Sequence, residues 1–158
     1  MRIVITGAQG QLGTDLRQVL QGHQLTLLDL PTFDLTHQDC GRVIVEAAPE
    51  VVIHAGAHTD VDGAERNPAL ALAVNAEGTE RVARAAALVG ARLIYISTDY
   101  VFDGRGTRPY VETDPTNPVS AYGESKRAGE QRASASCEHT LVVRTASLYV
   151  LPGRHFVK

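Results

Sequence analysis

Five short apolar runs recur along the 158-residue chain: RIVIT (2–6), QLTLLDL (24–30), EVVIHA (50–55), RLIYIS (92–97) and TLVVRT (140–145). The stretches between them carry helical spacing. Leu12, Leu16, Val19 and Leu20 fall on one helical face, and Val43, Ile44 and Ala47 fall on a second. ALALAVNAEGTERVARAAALVG (69–90) reads as an alanine-rich helix that ends at Gly90. Strands buried on both faces read as continuous apolar runs, because helices cover each side of the sheet. Strand and helix in alternation, joined by right-handed crossovers, build a parallel, doubly wound sheet. The pattern predicts an α/β fold, a Rossmann-like doubly wound parallel sheet with helices on both faces, in one domain over residues 1–158.

No repeat, low-complexity tract or linker divides the chain, and its length suffices for a core without staples. Net charge is −3 with acids and bases interspersed, so no basic face points to nucleic acid. Cys40 and Cys137 fit neither a disulfide framework nor a metal-ligand pattern, which suits idle thiols in a reducing compartment. The opening MRIVITGAQG is too short for a signal peptide and far too short to span a membrane. A cytoplasmic protein without membrane or nucleic-acid partners is the expectation.

The first strand runs directly into TGAQGQLG, which places glycines at 7, 10 and 13. In such a loop Gly7 permits the tight turn from strand to helix. Gly10 lets backbone amides approach a pyrophosphate, and Gly13 lets helix and strand pack closely, with the helix N-terminus facing the anion. Three glycines in a plain turn are the alternative, but the strand before and the helix after supply the context that binding requires. Asp29, at the end of the second run, can hold the adenosine ribose 2′-hydroxyl of NAD and would repel the 2′-phosphate of NADP. No arginine or lysine follows it closely.

The chain uses thirteen arginines and only two lysines, Lys126 and the final Lys158. Lys126 follows Tyr122 by four residues in SAYGESKRAGE, so both side chains share one helical face, with Gly123 leaving room beside them. A free tyrosine titrates near ~10, and a nearby ammonium stabilises its phenolate. Lysine suits this place better than arginine, since its compact ammonium can also donate to ribose hydroxyls. Ser97 and Thr98 end the fourth run, where a substrate carbonyl would sit, and Thr98 is the candidate to orient it. Between them and Tyr122 lies DGRGTRPYVETDPTNPVS (103–120), an irregular segment expected over the carboxyl ends of the strands, where ligands bind in open α/β sheets.

TGAQGQLG, HAGAHTDVDGAE, VNAEGTERVARAA, STDYVFDG, PYVETDPTNPVSAYGESKRAGE and RTASLY together resemble the dTDP-4-dehydrorhamnose reductase family of extended short-chain dehydrogenase/reductases. The resemblance implies that Thr98, Tyr122 and Lys126 form the catalytic triad. It implies a cofactor, NADH or NADPH, lined by Gly10, Gln11, Leu12, Asp29, Asp34, Leu35, Ala57, His58 and Thr59, and a dTDP-linked 4-keto sugar in contact with Thr98 and Asp99. Asp34 and Leu35 are expected near the adenine. The implied reaction sends hydride to C4 of the sugar while Tyr122 protonates the oxygen. A sugar-nucleotide epimerase or dehydratase, and a non-catalytic NAD(P)-binding regulatory subunit, are the alternatives.

The chain departs from the family pattern at His54 and Gly56, where asparagine and alanine are usual. It also departs at Ala146, Ser147 and Val150, where serine, tryptophan and glycine are usual. His54 and His58 stand four apart at a strand end with no third ligand in view, and DVDGAE (60–65) lacks the spacing of a calcium loop, so no metal is expected. Family members continue into a smaller substrate lobe. Without that lobe, exposed apolar surface would favour self-association, with a homodimer as one outcome.

Overall fold

The computed structural model of the chain describes residues 1–148. Five strands, β1 (Arg2–Thr6), β2 (Gln24–Leu28), β3 (Val51–His54), β4 (Arg92–Thr98) and β5 (Thr140–Thr145), form one sheet in the order β2-β1-β3-β4-β5. Every neighbouring pair is parallel. Thr6 pairs with Leu28 on one side and His54 on the other, and Thr98 pairs with Thr145. The carboxyl ends therefore share one edge of the sheet. The chain reverses direction across the sheet between β1 and β3, and this switch point is where a doubly wound sheet opens a crevice.

Helices cover both faces, as the apolar runs require. On one face α1 (Gln11–Val19) sets Leu16 against Ile3, Ile5 and Ile53. On the other, α2 (Arg42–Ala47), α5 (Thr79–Leu88) and α6 (Ala121–Ser136) enclose Val4, Val52 and Leu93, all fully buried. Each such aliphatic side chain contributes about 1.5–3 kcal/mol through burial. Ala83, Ala86 and Ala133 let α5 and α6 approach one another closely.

Three elements differ from the sequence expectation. β2 stops at Leu28, because Asp29 leaves the ladder to accept hydrogen bonds from the amides of Gln9 and Leu30. A short helix, α3 (Val61–Arg66), starts where the Asp60 carboxylate accepts from the amide of Gly63. The long alanine-rich stretch begins at Pro68 as α4 (Pro68–Leu72) and passes through a π-helical turn (Ala73–Gly78) into α5. There the Thr79 hydroxyl captures the Asn75 carbonyl at 2.7 Å and competes with the regular helical ladder. The run ends as expected at Gly90, whose positive φ of 68° closes it. Residues 149–158, including Tyr149, Val150 and Lys158, lie outside the described residues.

Candidate active site

The glycine loop is built by close backbone approach. Gly7 has φ of 69°, and a Cβ there would lie 2.6 Å from the amide nitrogen of Gly56 at the end of β3. A Cβ on Gly13 would run into the Gly7 carbonyl and sit 2.7 Å from the Ala8 Cα. Both positions therefore admit only glycine. α1 opens at Gly10 without a side-chain cap, so backbone forms the end of the helix that faces the crevice. Asp29 fixes the loop from β2: its carboxylate accepts from Gln9 N at 2.7 Å and from Leu30 N at 2.8 Å.

These residues wall a cleft of about 670 Å³ at the β1/β3 switch point. Gly7, Gly10, Gln11, Leu12, Gly13, Asp29, Ala57 and Thr59 line it from one side, and Thr98, Tyr122 and Lys126 from the other. Asp34 and Leu35 stand apart from it. They line a smaller cavity of about 110 Å³ beside Gly7, Asp29 and Gly56, with the Asp34 carboxylate turned to Thr36. Asp99 faces a third cavity of about 800 Å³ that reaches the cleft through Thr145 and Ala146. Tyr110 and Val111 of the irregular segment line this third cavity, and Tyr110 stacks on Phe102 with ring centroids 4.2 Å apart. His58 lines none of the three cavities. Its backbone is held by Asn75, and its Nε2 is buried without a hydrogen-bond partner.

α6 presents Tyr122 and Lys126. Ser120 caps it by accepting from the Gly123 amide, and Gly123 lies against the Tyr100 carbonyl, where no Cβ fits. The half-buried Tyr122 meets Tyr100 edge-on, with ring centroids 5.6 Å apart. Burial pushes its phenol above the ordinary value, the Thr98 hydroxyl beside it pulls the other way, and the Asp99 carboxylate raises it further. The pairing read from sequence thus takes a different form. The Lys126 ammonium is directed away along the sheet: its Nζ donates to the Ile96 carbonyl at 2.7 Å and lies 4.3 Å from the centroid of the Tyr95 ring. Burial holds its ammonium down to about 7, partly offset by the Glu130 carboxylate.

Supporting residues complete the site. Ser97 donates to Glu130 at 2.6 Å, and Glu130 takes two hydrogen bonds from Arg144. Asn75 donates to the Ser125 hydroxyl, which donates in turn to the Tyr122 carbonyl at 2.7 Å. Sequence reasoning passed over Asn75, Ser125 and Glu130. The available signal was a single polar residue, Asn75, amid the apolar ALALAVNA run, since a buried amide persists only where its hydrogen bonds are met.

The family model described as the RmlD substrate binding domain matches residues 1–158. The chain belongs to this family. It is 48% identical to the dTDP-4-dehydrorhamnose reductase of Mycobacterium tuberculosis (strain ATCC 25618 / H37Rv) over 99% of its own length and 53% of that relative. A crystal structure of a dTDP-4-dehydrorhamnose reductase from Clostridium acetobutylicum superposes with a TM-score of 0.95 at 42% identity, covering 99% of this chain and 57% of that one. The dTDP-4-dehydrorhamnose reductase of Bacillus anthracis, in complex with NADP, gives 0.94 at 41% identity with the same coverage. The chain spans about half the length of the curated relatives it matches.

The positions expected to depart from the family pattern fall in distinct places. His54 and Gly56 sit at the switch point, inside the fold and at the cleft wall respectively. Ala146 and Ser147 are exposed beyond β5, and Val150 is outside the described residues. Among the described residues no group of three histidine, cysteine or acidic side chains is placed to hold a metal, and no helix is long and apolar enough to cross a membrane.

Proposed function

We propose that this chain carries the nicotinamide-dependent reduction of the 4-keto group of a dTDP-linked 6-deoxyhexose, the reaction of a dTDP-4-dehydrorhamnose reductase. One observation carries the proposal: a single cleft has the glycine loop on one wall and Thr98, Tyr122 and Lys126 on the other. The cradle fits a dinucleotide: Gly7 and Gly13, where an added Cβ would strike neighbouring backbone, keep the loop tight, and the uncapped N-terminus of α1 opens on the cleft.

When bound, the reduced nicotinamide supplies hydride to C4 of the sugar. The protein's own part is to orient the keto oxygen and protonate it. Thr98, at the carboxyl end of β4, turns its hydroxyl proton from the Asp99 carboxylate, which it meets at 3.1 Å, to that oxygen. Tyr122, neutral because burial holds its phenol proton, delivers the proton as the alkoxide forms. Lys126, buried and near neutrality in its titration, places a positive charge beneath the same wall. Asp99, at the mouth of the adjoining cavity, contacts the sugar.

Asp29 favours NADH over NADPH, because a carboxylate lining the cleft repels a 2′-phosphate. The Bacillus anthracis relative holds NADP, so the two cofactors are compared side by side. The test is consumption of NADH and of NADPH with dTDP-4-dehydrorhamnose. Turnover with faster use of NADH supports the proposal. Saturable dinucleotide binding without any turnover would replace it with a non-catalytic binding subunit.

A further inference from the structure

His54 and Thr6 face one another across the ladder that joins β3 to β1, where the sheet order reverses. Both are fully buried, and so is Thr79 of α5. The hydrogens on this group can be assigned one by one. The Thr79 hydroxyl donates to the Asn75 carbonyl at 2.7 Å, so toward His54 it can only accept, and Nε2 at 3.0 Å carries the proton. Nδ1 is then the acceptor for the Thr6 hydroxyl at 2.6 Å, and the Thr6 oxygen in turn accepts from the Gly56 amide at 3.3 Å. The result is a directed chain, Gly56 to Thr6 to His54 to Thr79 to the Asn75 carbonyl, in which each hydrogen is used once.

Both ends of this chain belong to the site. Gly56 lines the cleft and supports the tight turn at Gly7, whose backbone packs on it. Asn75 clamps the His58 backbone, accepting from its amide at 2.8 Å and donating to its carbonyl at 3.0 Å. Asn75 also holds Ser125, which holds the Tyr122 carbonyl. The glycine-loop wall and the helix bearing the proton donor are thus joined through one imidazole.

We propose that His54 is a positioning residue: as the neutral Nε2–H tautomer it sets the cleft wall at Gly56 against the Asn75 turn that anchors the Tyr122 helix. The proposal rests on the dinucleotide-cleft reading above. The groups facing the imidazole agree with a neutral ring. Tyr95 of β4 stands 5.6 Å away, the Lys126 ammonium of α6 opposes a second positive charge, and the hydroxyls of Thr6 and Thr79 complete the shell. A protonated ring would aim N–H at both threonines and leave the Thr6 proton without an acceptor.

The test compares wild type, His54→Asn, Thr79→Val and the double variant. Asparagine reaches Thr6 but is too short for Thr79. Titrated with NADH, each single variant is expected to bind about tenfold more weakly, the scale of one net buried hydrogen bond. The double variant is expected to bind no more weakly than either single one, because both remove the same link. Folded single variants that bind NADH as tightly as wild type, or strictly additive losses, overturn the proposal. If a variant does not fold, imidazole ¹⁵N shifts of the wild type decide: an Nε2–H tautomer supports it, and an Nδ1–H or doubly protonated ring overturns it. If wild type itself binds no dinucleotide, the cleft reading fails separately. The positioning role is then judged by the amide shifts of Gly56 and Tyr122, which must move together in His54→Asn.

Discussion

Lys126 directs its ammonium to the backbone carbonyl of Ile96, 2.7 Å away, rather than to the phenol of Tyr122 one helical turn before it. The lysine is only 3% exposed, so its charge is held against a strong desolvation cost with one carbonyl and the face of Tyr95 as partners. That placement explains why arginine would not serve. A guanidinium carries five donors and does not give up its proton, whereas this ammonium meets a single backbone carbonyl, that of Ile96.

Lys126 is therefore expected to titrate near neutrality, and ¹³Cε shifts followed from pH 6 to 11 (roughly, spanning the ordinary lysine range) check it. A midpoint of about 7 agrees, and a midpoint near the ordinary 10.5 contradicts the burial argument. The linkage has a definite sign. Between those two values the unfolded chain binds the extra proton, so this group makes the fold gain stability as pH rises, by at most about 1.4 kcal/mol per unit.

His54 works in an acid window. Burial, reinforced by the Lys126 ammonium, lowers its imidazole from 6.5 to about 3. Below 6.5 the unfolded chain binds a proton that the native ring refuses, so stability present above that value is lost as pH falls toward 3. Denaturant melts are expected to show His54→Asn with a shallower loss across this window than wild type. Equal slopes would mean that the ring protonates freely in the native state.

Tyr122→Phe removes the proton donor while keeping the edge contact with Tyr100. Turnover with dTDP-4-dehydrorhamnose is expected to fall by roughly 10²–10⁴-fold, with the NADH dissociation constant little changed. Near-full turnover in this variant would remove Tyr122 from the chemistry.

Gly13→Ala places a methyl against the Gly7 carbonyl and within 2.7 Å of Ala8 Cα. Backbone on both sides cannot yield as a side chain would. A loss of about 1–3 kcal/mol in unfolding free energy is expected, together with loss of dinucleotide binding in fluorescence titrations. Unchanged binding would show that the loop does not need the close helix–strand contact.

Much of this molecule was legible from residue order alone. TLVVRT and RIVIT matched β5 and β1 to the residue, because continuous apolar runs bounded by polar turns have few other folds to join. The glycine loop and the Tyr122–Lys126 spacing likewise converge on one cleft. What stayed hidden was non-local. The fate of the Lys126 ammonium depends on a carbonyl 30 residues away, and the role of His54 on the neighbouring placement of Thr6 and on a threonine 25 residues further on. The π-helical turn stayed hidden although its cause is local, since helical spacing across ALALAVNAEG gives no hint that Thr79 will take the Asn75 carbonyl four residues before it.

Transfer of deuterium tests the central claim most directly. With NADH labelled on the transferred face of nicotinamide C4 and dTDP-4-dehydrorhamnose as acceptor, the product is analysed by NMR. Deuterium at C4 of the sugar, abolished or strongly slowed by Tyr122→Phe, is the predicted result. Unlabelled product, label at another carbon, or no product from a chain that binds NADH would contradict the assignment of this cleft to 4-keto reduction.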